Sequence, residues 1–134
     1  MKAVLLFLFW SLSVLFLQAR TILISSDQNL QKAIDSTHDF DTLILKSGTY
    51  RSVNTEIKKP LTIIGENFPV LDGQLEDEVL VVTSNNVSII GIEVRNTKCG
   101  SMKDYAGIHV NKSQNVNIEN CKLDNTMFGI YLSD

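Results

Sequence analysis

A chain of 134 residues with a formal net charge of −3 and 44% hydrophobic residues has enough apolar material for one domain and no more. Its acidic balance and lack of a basic stripe exclude a nucleic-acid-binding surface built on phosphate neutralisation. No polybasic segment is present to hold anionic lipid.

The first stretch reads as a targeting segment. Met1-Lys2 is a short positive start, and the run Ala3 to Leu17 is apolar except for Ser11 and Ser13. That run is short for a membrane span of roughly 20 residues. With Gln18 and the small Ala19 behind it, it reads as a secretory signal peptide over residues 1–19, cut after Ala19. The mature chain then starts at Arg20, carries 11 basic and 15 acidic residues, and has no second apolar run for membrane insertion.

Residues 20–40 read as a lead-in and a capping helix. Leu30, Ala33 and Ile34 fall on one helical face within Ser25 to Thr37. Ser25 and Gln28, three apart, resemble a capping box. A short amphipathic helix here would cover the open end of a stack of strands.

Residues 41–134 carry strands and turns. Thr42–Leu45, Leu61–Gly65, Val70–Gly73 and Val79–Val82 are short Val-, Ile- and Leu-rich runs bounded by Gly, Asn or Pro, with no helical pattern between them. Two registers of self-similarity follow. Asn86–Thr97 returns as Asn115–Thr126, and at a shorter offset Gly107-Ile108-His109-Val110 returns as Gly129-Ile130-Tyr131-Leu132. Self-similarity at a period of roughly 20–30 residues marks a solenoid. Gly65, Gly91 and Asn120 each follow an apolar pair, which predicts a corner held by a left-handed residue once per coil. The expected fold is therefore all-β, a right-handed parallel β-helix. Its chain ends just after an apolar strand, which predicts further coils in a longer natural protein.

The repeats also assign faces. Val87, Ile89, Ile92 and Val94 align with Val116, Ile118, Cys121 and Leu123 and are expected to point inward. The alignment sets Glu93 against Lys122, Arg95 against Asp124 and Lys112 against Asp134, predicting outward charge ladders. The longer offset exceeds the shorter by the length of one segment, which places a loop over Lys98–Asp104. Beside it the alignment predicts an exposed ladder of Tyr105 over Met127 and His109 over Tyr131. Aromatic and Met side chains of this kind are enriched at protein interfaces, so these four residues are the expected partner surface.

Catalysis has less support in the residues. Glu93, Asp104, Glu119 and Asp124 are the carboxylates a polysaccharide lyase or hydrolase would draw on, but the register pairs Glu93 and Asp124 with cations and sets Glu119 against Ile90. Cys99, Met102 and His109 are ligand types that suit copper, with no metal-binding spacing such as CxxC. Met102 and His109 are the candidate metal ligands. Cys99 and Cys121 would reach an oxidising compartment where a bridge is permitted. Cys121 takes the repeat position of Ile92 and so reads as a small buried apolar residue.

From Thr21 to Asp134 the chain resembles the amino-terminal part of the NosD family, periplasmic maturation factors of nitrous oxide reductase. The resemblance rests on Lys46-Ser47-Gly48-Thr49-Tyr50, Lys59-Pro60-Leu61-Thr62-Ile63-Ile64-Gly65-Glu66, Pro69-Val70-Leu71-Asp72-Gly73, Val87-Ser88-Ile89-Ile90-Gly91 and Ala106-Gly107-Ile108-His109-Val110. The segment Thr126-Met127-Phe128-Gly129-Ile130-Tyr131-Leu132 is its most particular element; the earlier segments recur in carbohydrate-active β-helices. The resemblance implies a non-enzymatic periplasmic rod. Such a rod acts with a membrane ABC transporter to help install the copper–sulfide cluster in apo nitrous oxide reductase, and the transporter's ATPase supplies the energy. A secreted carbohydrate-active or carbohydrate-binding β-helix is the alternative.

Overall fold

The computed structural model describes residues 18–134; the leader expected over residues 1–19 lies, apart from Gln18 and Ala19, outside the described residues. The described chain is a parallel β-helix of about five turns. It opens with β1 (Thr21–Ile24) and α1 (Leu30–Ser36), then β2 (Asp41–Leu45), β3 (Thr49–Arg51) and β4 (Thr55–Ile57). The next coils are β5 (Leu61–Gly65), β6 (Val70–Asp72) and β7 (Leu80–Val82), then β8 (Val87–Ile90), β9 (Glu93–Arg95) and β10 (Ala106–Asn111). The last is β11 (Val116–Glu119), β12 (Lys122–Asp124) and β13 (Phe128–Ser133). Every pairing is parallel, in three sheets ordered β1-β2-β5-β8-β11, β3-β6-β9-β12 and β4-β7-β10-β13.

In each sheet, one core-facing position per coil stacks on its counterpart, although in the last coil Leu123 and Leu132 are exposed. Leu43, Ile63, Ile89 and Ile118 form one column, Tyr50, Leu71, Val94 and Leu123 a second, and Ile57, Val82, Val110 and Leu132 a third. Both repeat registers are the hydrogen-bonded ones: Val87 pairs with Val116, and His109 with Tyr131. A parallel strand pairs through a long crossover, so identical residues meet only when the coil length is kept. The inserted loop at residues 98–104 is accommodated at one corner, outside the strands.

The beginning of the fold differs from the expectation in two ways. Thr21–Ile24 is a full strand rather than a lead-in, pairing with β2. As the sheet's edge it buries only Ile24 fully, so its alternation is faint in the sequence. The helix starts at Leu30, with Asn29 as its cap, the side-chain oxygen accepting from Lys32 N at 2.9 Å. Ser25 and Gln28 do bond, Ser25 N donating to Gln28 Oε1 at 2.9 Å, but they close a turn ahead of the helix. The capping role of α1 is chemically specific. Gln31 accepts from Glu56 N at 2.8 Å and donates to Glu56 O at 3.1 Å, replacing the strand that β4 lacks on that side. Leu30 and Ile34 close the core.

The corners follow asparagine more than glycine. Asn86, Asn96, Asn115, Asn120 and Asn125 are all left-handed, as is Gly91 at φ +70°. Asn115 donates to Asn86 at 2.7 Å and Asn125 to Asn96 at 2.8 Å, so corner side chains ladder along the rod. Gly65 is not left-handed. It is glycine because a Cβ there would lie 2.4 Å from Gly91 O and 2.6 Å from Pro69 Cδ. Replacing Gly91 by Val should therefore cost more than about 1 kcal/mol, through its left-handed backbone and the Gly65 oxygen 3.2 Å from the new Cβ. A melting midpoint equal to the parent's would refute this corner assignment.

The charge ladders have the expected register but other partners. Arg95 sits over Asp124 and Glu93 over Lys122. Yet Arg95 binds Asp72 of the preceding coil at 3.3 Å and Glu93 at 3.8 Å, while Lys122 lies 3.9 Å from the Phe68 ring centroid. Each outward charge in a stack has a neighbour above and below. Asp72 prevails because Asn96 and the Gln74 amide also hold it, preorganising it for Arg95 and keeping its carboxyl below the usual range despite the burial that opposes this. Lys112 instead donates its backbone N–H to Ser133 O, and no Lys112–Asp134 ion pair forms among the described residues.

Candidate functional site

The expected partner surface lies on the outside of the β4-β7-β10-β13 sheet, beside the corner that carries the inserted loop. His109 and Tyr131 occupy adjacent rungs, and their rings stack tilted with centroids 5.1 Å apart. Phe128 extends the cluster, 6.0 Å from Tyr131. Met127 follows the corner, half-buried, its backbone N–H donating to Thr97 Oγ1 at 2.8 Å. His109 and Tyr131 thus meet on adjacent rungs, with Met127 at the corner ahead of β13.

Tyr105 is not part of the exposed ladder. It is only 8% exposed, because the loop folds back over it. Lys98 and Lys103 cover its ring at 5.6 and 5.3 Å, in cation–π range. The offset predicted its rung correctly, but not that the inserted residues would close over the neighbouring side chain.

Under the loop lies a charge cluster that sequence reasoning missed. Glu78, just ahead of β7, has a side chain only 4% exposed. Lys103 reaches it from the loop at 3.4 Å and binds Asp77 at 2.9 Å. Burial works against the Lys103 ammonium, but its bond to Asp77 and the charges of Glu78 and Asp77 outweigh that and hold its pKa above the ordinary lysine value. Burial also works against the Asp77 carboxylate, and bonds from Lys103, Asn54 and the Glu78 amide bring it below the ordinary range. The sequence signal was available in the acidic run Glu76-Asp77-Glu78, which has no repeat counterpart and so offered no register to place it.

The cluster continues through His109. Its Nδ1 faces Glu78 Oε1 at 3.0 Å, and its Nε2 lies 2.8 Å from Ser133 Oγ, which is also 3.3 Å from Asn111 Oδ1. A hydroxyl, an imidazole and a carboxylate in that order share the connectivity of a nucleophile with its base. The alignment is different. Although Nδ1 and Oε1 are close, neither makes a directed hydrogen bond. Ser133 has Asn111 as a competing acceptor. The arrangement balances a buried carboxylate and stiffens the face.

The two candidate copper ligands, Met102 and His109, sit in different surroundings. His109 Nε2 lies 2.8 Å from Ser133 Oγ while Nδ1 has no hydrogen-bond partner, and Met102 is 97% exposed at the loop. Among the described residues no three His, Cys, Asp or Glu side chains gather to hold a metal ion. Cys99 is exposed, Cys121 is half-buried beneath Ile89 O, and both are free thiols. Among the described residues no helix is long and apolar enough to cross a membrane.

The chain matches no family model, and no curated protein or solved structure is found to be similar to it.

Proposed function

We propose that this chain is a periplasmic, non-enzymatic accessory rod of the NosD type, which recognises apo nitrous oxide reductase and acts with a membrane ABC transporter during assembly of its copper–sulfide cluster. Copper is cargo of that process rather than a resident cofactor of the rod. The signal-peptide character of residues 1–19 supports export, and the segments quoted above support the family. The observation that carries the reading is the stiffened outer face. Tyr131 and His109 stack there, with Phe128 beside Tyr131 and His109 Nε2 against Ser133 Oγ. Ring surface already packed against a neighbour before binding favours an interface anchor. The acidic side chains favour recognition over hydrolysis, because Asp72, Glu76, Asp77 and Glu78 are all tied to cations.

The test is affinity for purified apo-reductase. Tyr131→Ala should weaken it about tenfold or more, the effect of losing roughly 1.4 kcal/mol at an aromatic anchor, while the melting midpoint stays near the parent's. Unchanged affinity would remove Tyr131 from the interface. Binding to uronic acid polymers, with none to the reductase, would favour the carbohydrate-directed alternative.

A further inference from the structure

Asp41, the first residue of β2, has no obvious task on the inside of a β-helix. It is completely buried, yet charged. Its Oδ1 accepts from the backbone nitrogen of Arg20 at 2.7 Å, and its Oδ2 accepts from the backbone nitrogen of His38 at 2.7 Å and from Arg20 Nη2 at 3.1 Å. The amides of His38 and Arg20 hold its pKa down at about 2, against the opposing effect of burial. The position of the Arg20 nitrogen is independently fixed, because Arg20 O accepts from Thr42 N at 2.8 Å and Thr21 pairs with Thr42. Gln18 and Ala19, immediately ahead, are exposed and outside any strand.

We propose that the Ala19–Arg20 bond is a processing site whose cleavage completes the fold: the new α-ammonium group of Arg20 forms a salt bridge with the buried Asp41 carboxylate. The inference rests on the leader reading of residues 1–19. A leader peptidase adds water across the bond, leaving a carboxylate on Ala19 and an amine on Arg20. The amine takes up a proton, since its ordinary pKa is about 7.7–8.0. A neutral amide donor to Asp41 thereby becomes a charged one, and charge-assisted bonds are roughly twice as strong.

The other groups around the carboxylate leave room for this charge. The Arg20 guanidinium already shares Oδ2, and the His38 ring lies against that guanidinium with its Nδ1 3.8 Å from the same oxygen. Asp39 lies in the same turn and adds negative charge. Lys59, the cation reaching in from the next coil, is spent on the carbonyls of Asp35 and Thr37. The pair raises the folded-state pKa of the amine. Its stabilisation is therefore fully present below the unfolded amine's pKa and lost as pH rises through the folded one.

The experiment compares the exported protein with two defined forms, one beginning at Arg20 and one retaining Gln18-Ala19, each with and without Asp41→Asn. Intact mass of the exported protein should give Arg20 as its first residue; another start overturns the leader reading itself. At about pH 7 the Arg20 form should melt about 3–8 °C above the extended form. That gap should close by about pH 10.5 and be absent between the two Asp41→Asn forms. Equal melting of the two forms at about pH 7, with the exported chain starting at Arg20, overturns the salt bridge alone. So does a gap that persists in Asp41→Asn. Should Asp41→Asn fail to fold, the pH dependence of the unsubstituted pair decides in the same way.

Discussion

Replacing Ile63 by alanine should lower the unfolding free energy by about 2–5 kcal/mol, the range for emptying a packed aliphatic site. Ile63 is wholly buried on the middle strand of the five-stranded sheet, between Leu43 below and Ile89 above, both equally buried. The cost belongs at the upper part of that range. Collapse of the cavity would require two coils to approach, and their spacing is fixed near about 4.8 Å by backbone hydrogen bonds along three sheets. A domain of this size has a total stability of only about 5–15 kcal/mol, so denaturant melts would show the change as a large fall in midpoint at constant slope. A loss below about 1 kcal/mol would mean that the columns are not packed in the register described. The equivalent change at Ile118 should cost less, because that side chain is only half-buried.

The second large effect concerns the cluster beneath the loop. Lys103→Met should destabilise by about 1–3 kcal/mol, because it leaves the Glu78 carboxylate buried against His109 alone. Lys103 is itself 46% exposed, so solvent screens part of the loss and keeps it below the value for a fully enclosed pair. The double variant Lys103→Met with Glu78→Gln should recover part of the stability, since the uncompensated charge is then gone. Additive losses in the two single variants and the double would show that Lys103 holds the loop through Asp77 only. Hydrogen exchange on residues 98–104 gives a second readout: protection should fall in Lys103→Met even if the global change is small.

These two regions differ in how far they could be read from the chain. The stack was legible because a solenoid writes its register twice: Val87 and Val116, like His109 and Tyr131, are one coil apart in the chain and hydrogen-bonded neighbours in space. The column Leu43, Ile63 and Ile89 was less legible, because its steps along the chain differ in length and no single coil length aligns them. Corner chemistry was half legible. Asn120 and Gly91 are left-handed as their residue types suggest, but Gly65 answers to a carbonyl from the adjacent coil, a constraint visible only when the coils are stacked. The first strand was obscured by being an edge, and the helix start by a Ser25–Gln28 pair that mimics a cap while closing a turn.

The candidate site was legible only in its repeated part. His109, Met127 and Tyr131 inherit their positions from the register. Tyr105, Lys103 and Glu78 depend on how the inserted loop folds, and neither the loop nor the acidic run before β7 has a copy elsewhere in the chain to align with. The outward ion pairs failed for a related reason. Alignment names the rung above or below, whereas the choice between Asp72 and Asp124 for Arg95 is made by the other donors around each carboxylate. Copper ligation at His109 rests on residue type alone; its Nε2 lies against Ser133 and its Nδ1 faces Glu78 without a directed hydrogen bond.

The most direct test of the proposed role is deletion of the gene in its native host, followed by the visible spectrum of nitrous oxide reductase purified from that strain. The account predicts that the bands of the copper–sulfide cluster disappear while those of the electron-transfer copper site remain, and that restoring the gene brings the cluster back. A fully loaded reductase from the deletion strain, or a host that makes no such enzyme, would contradict it.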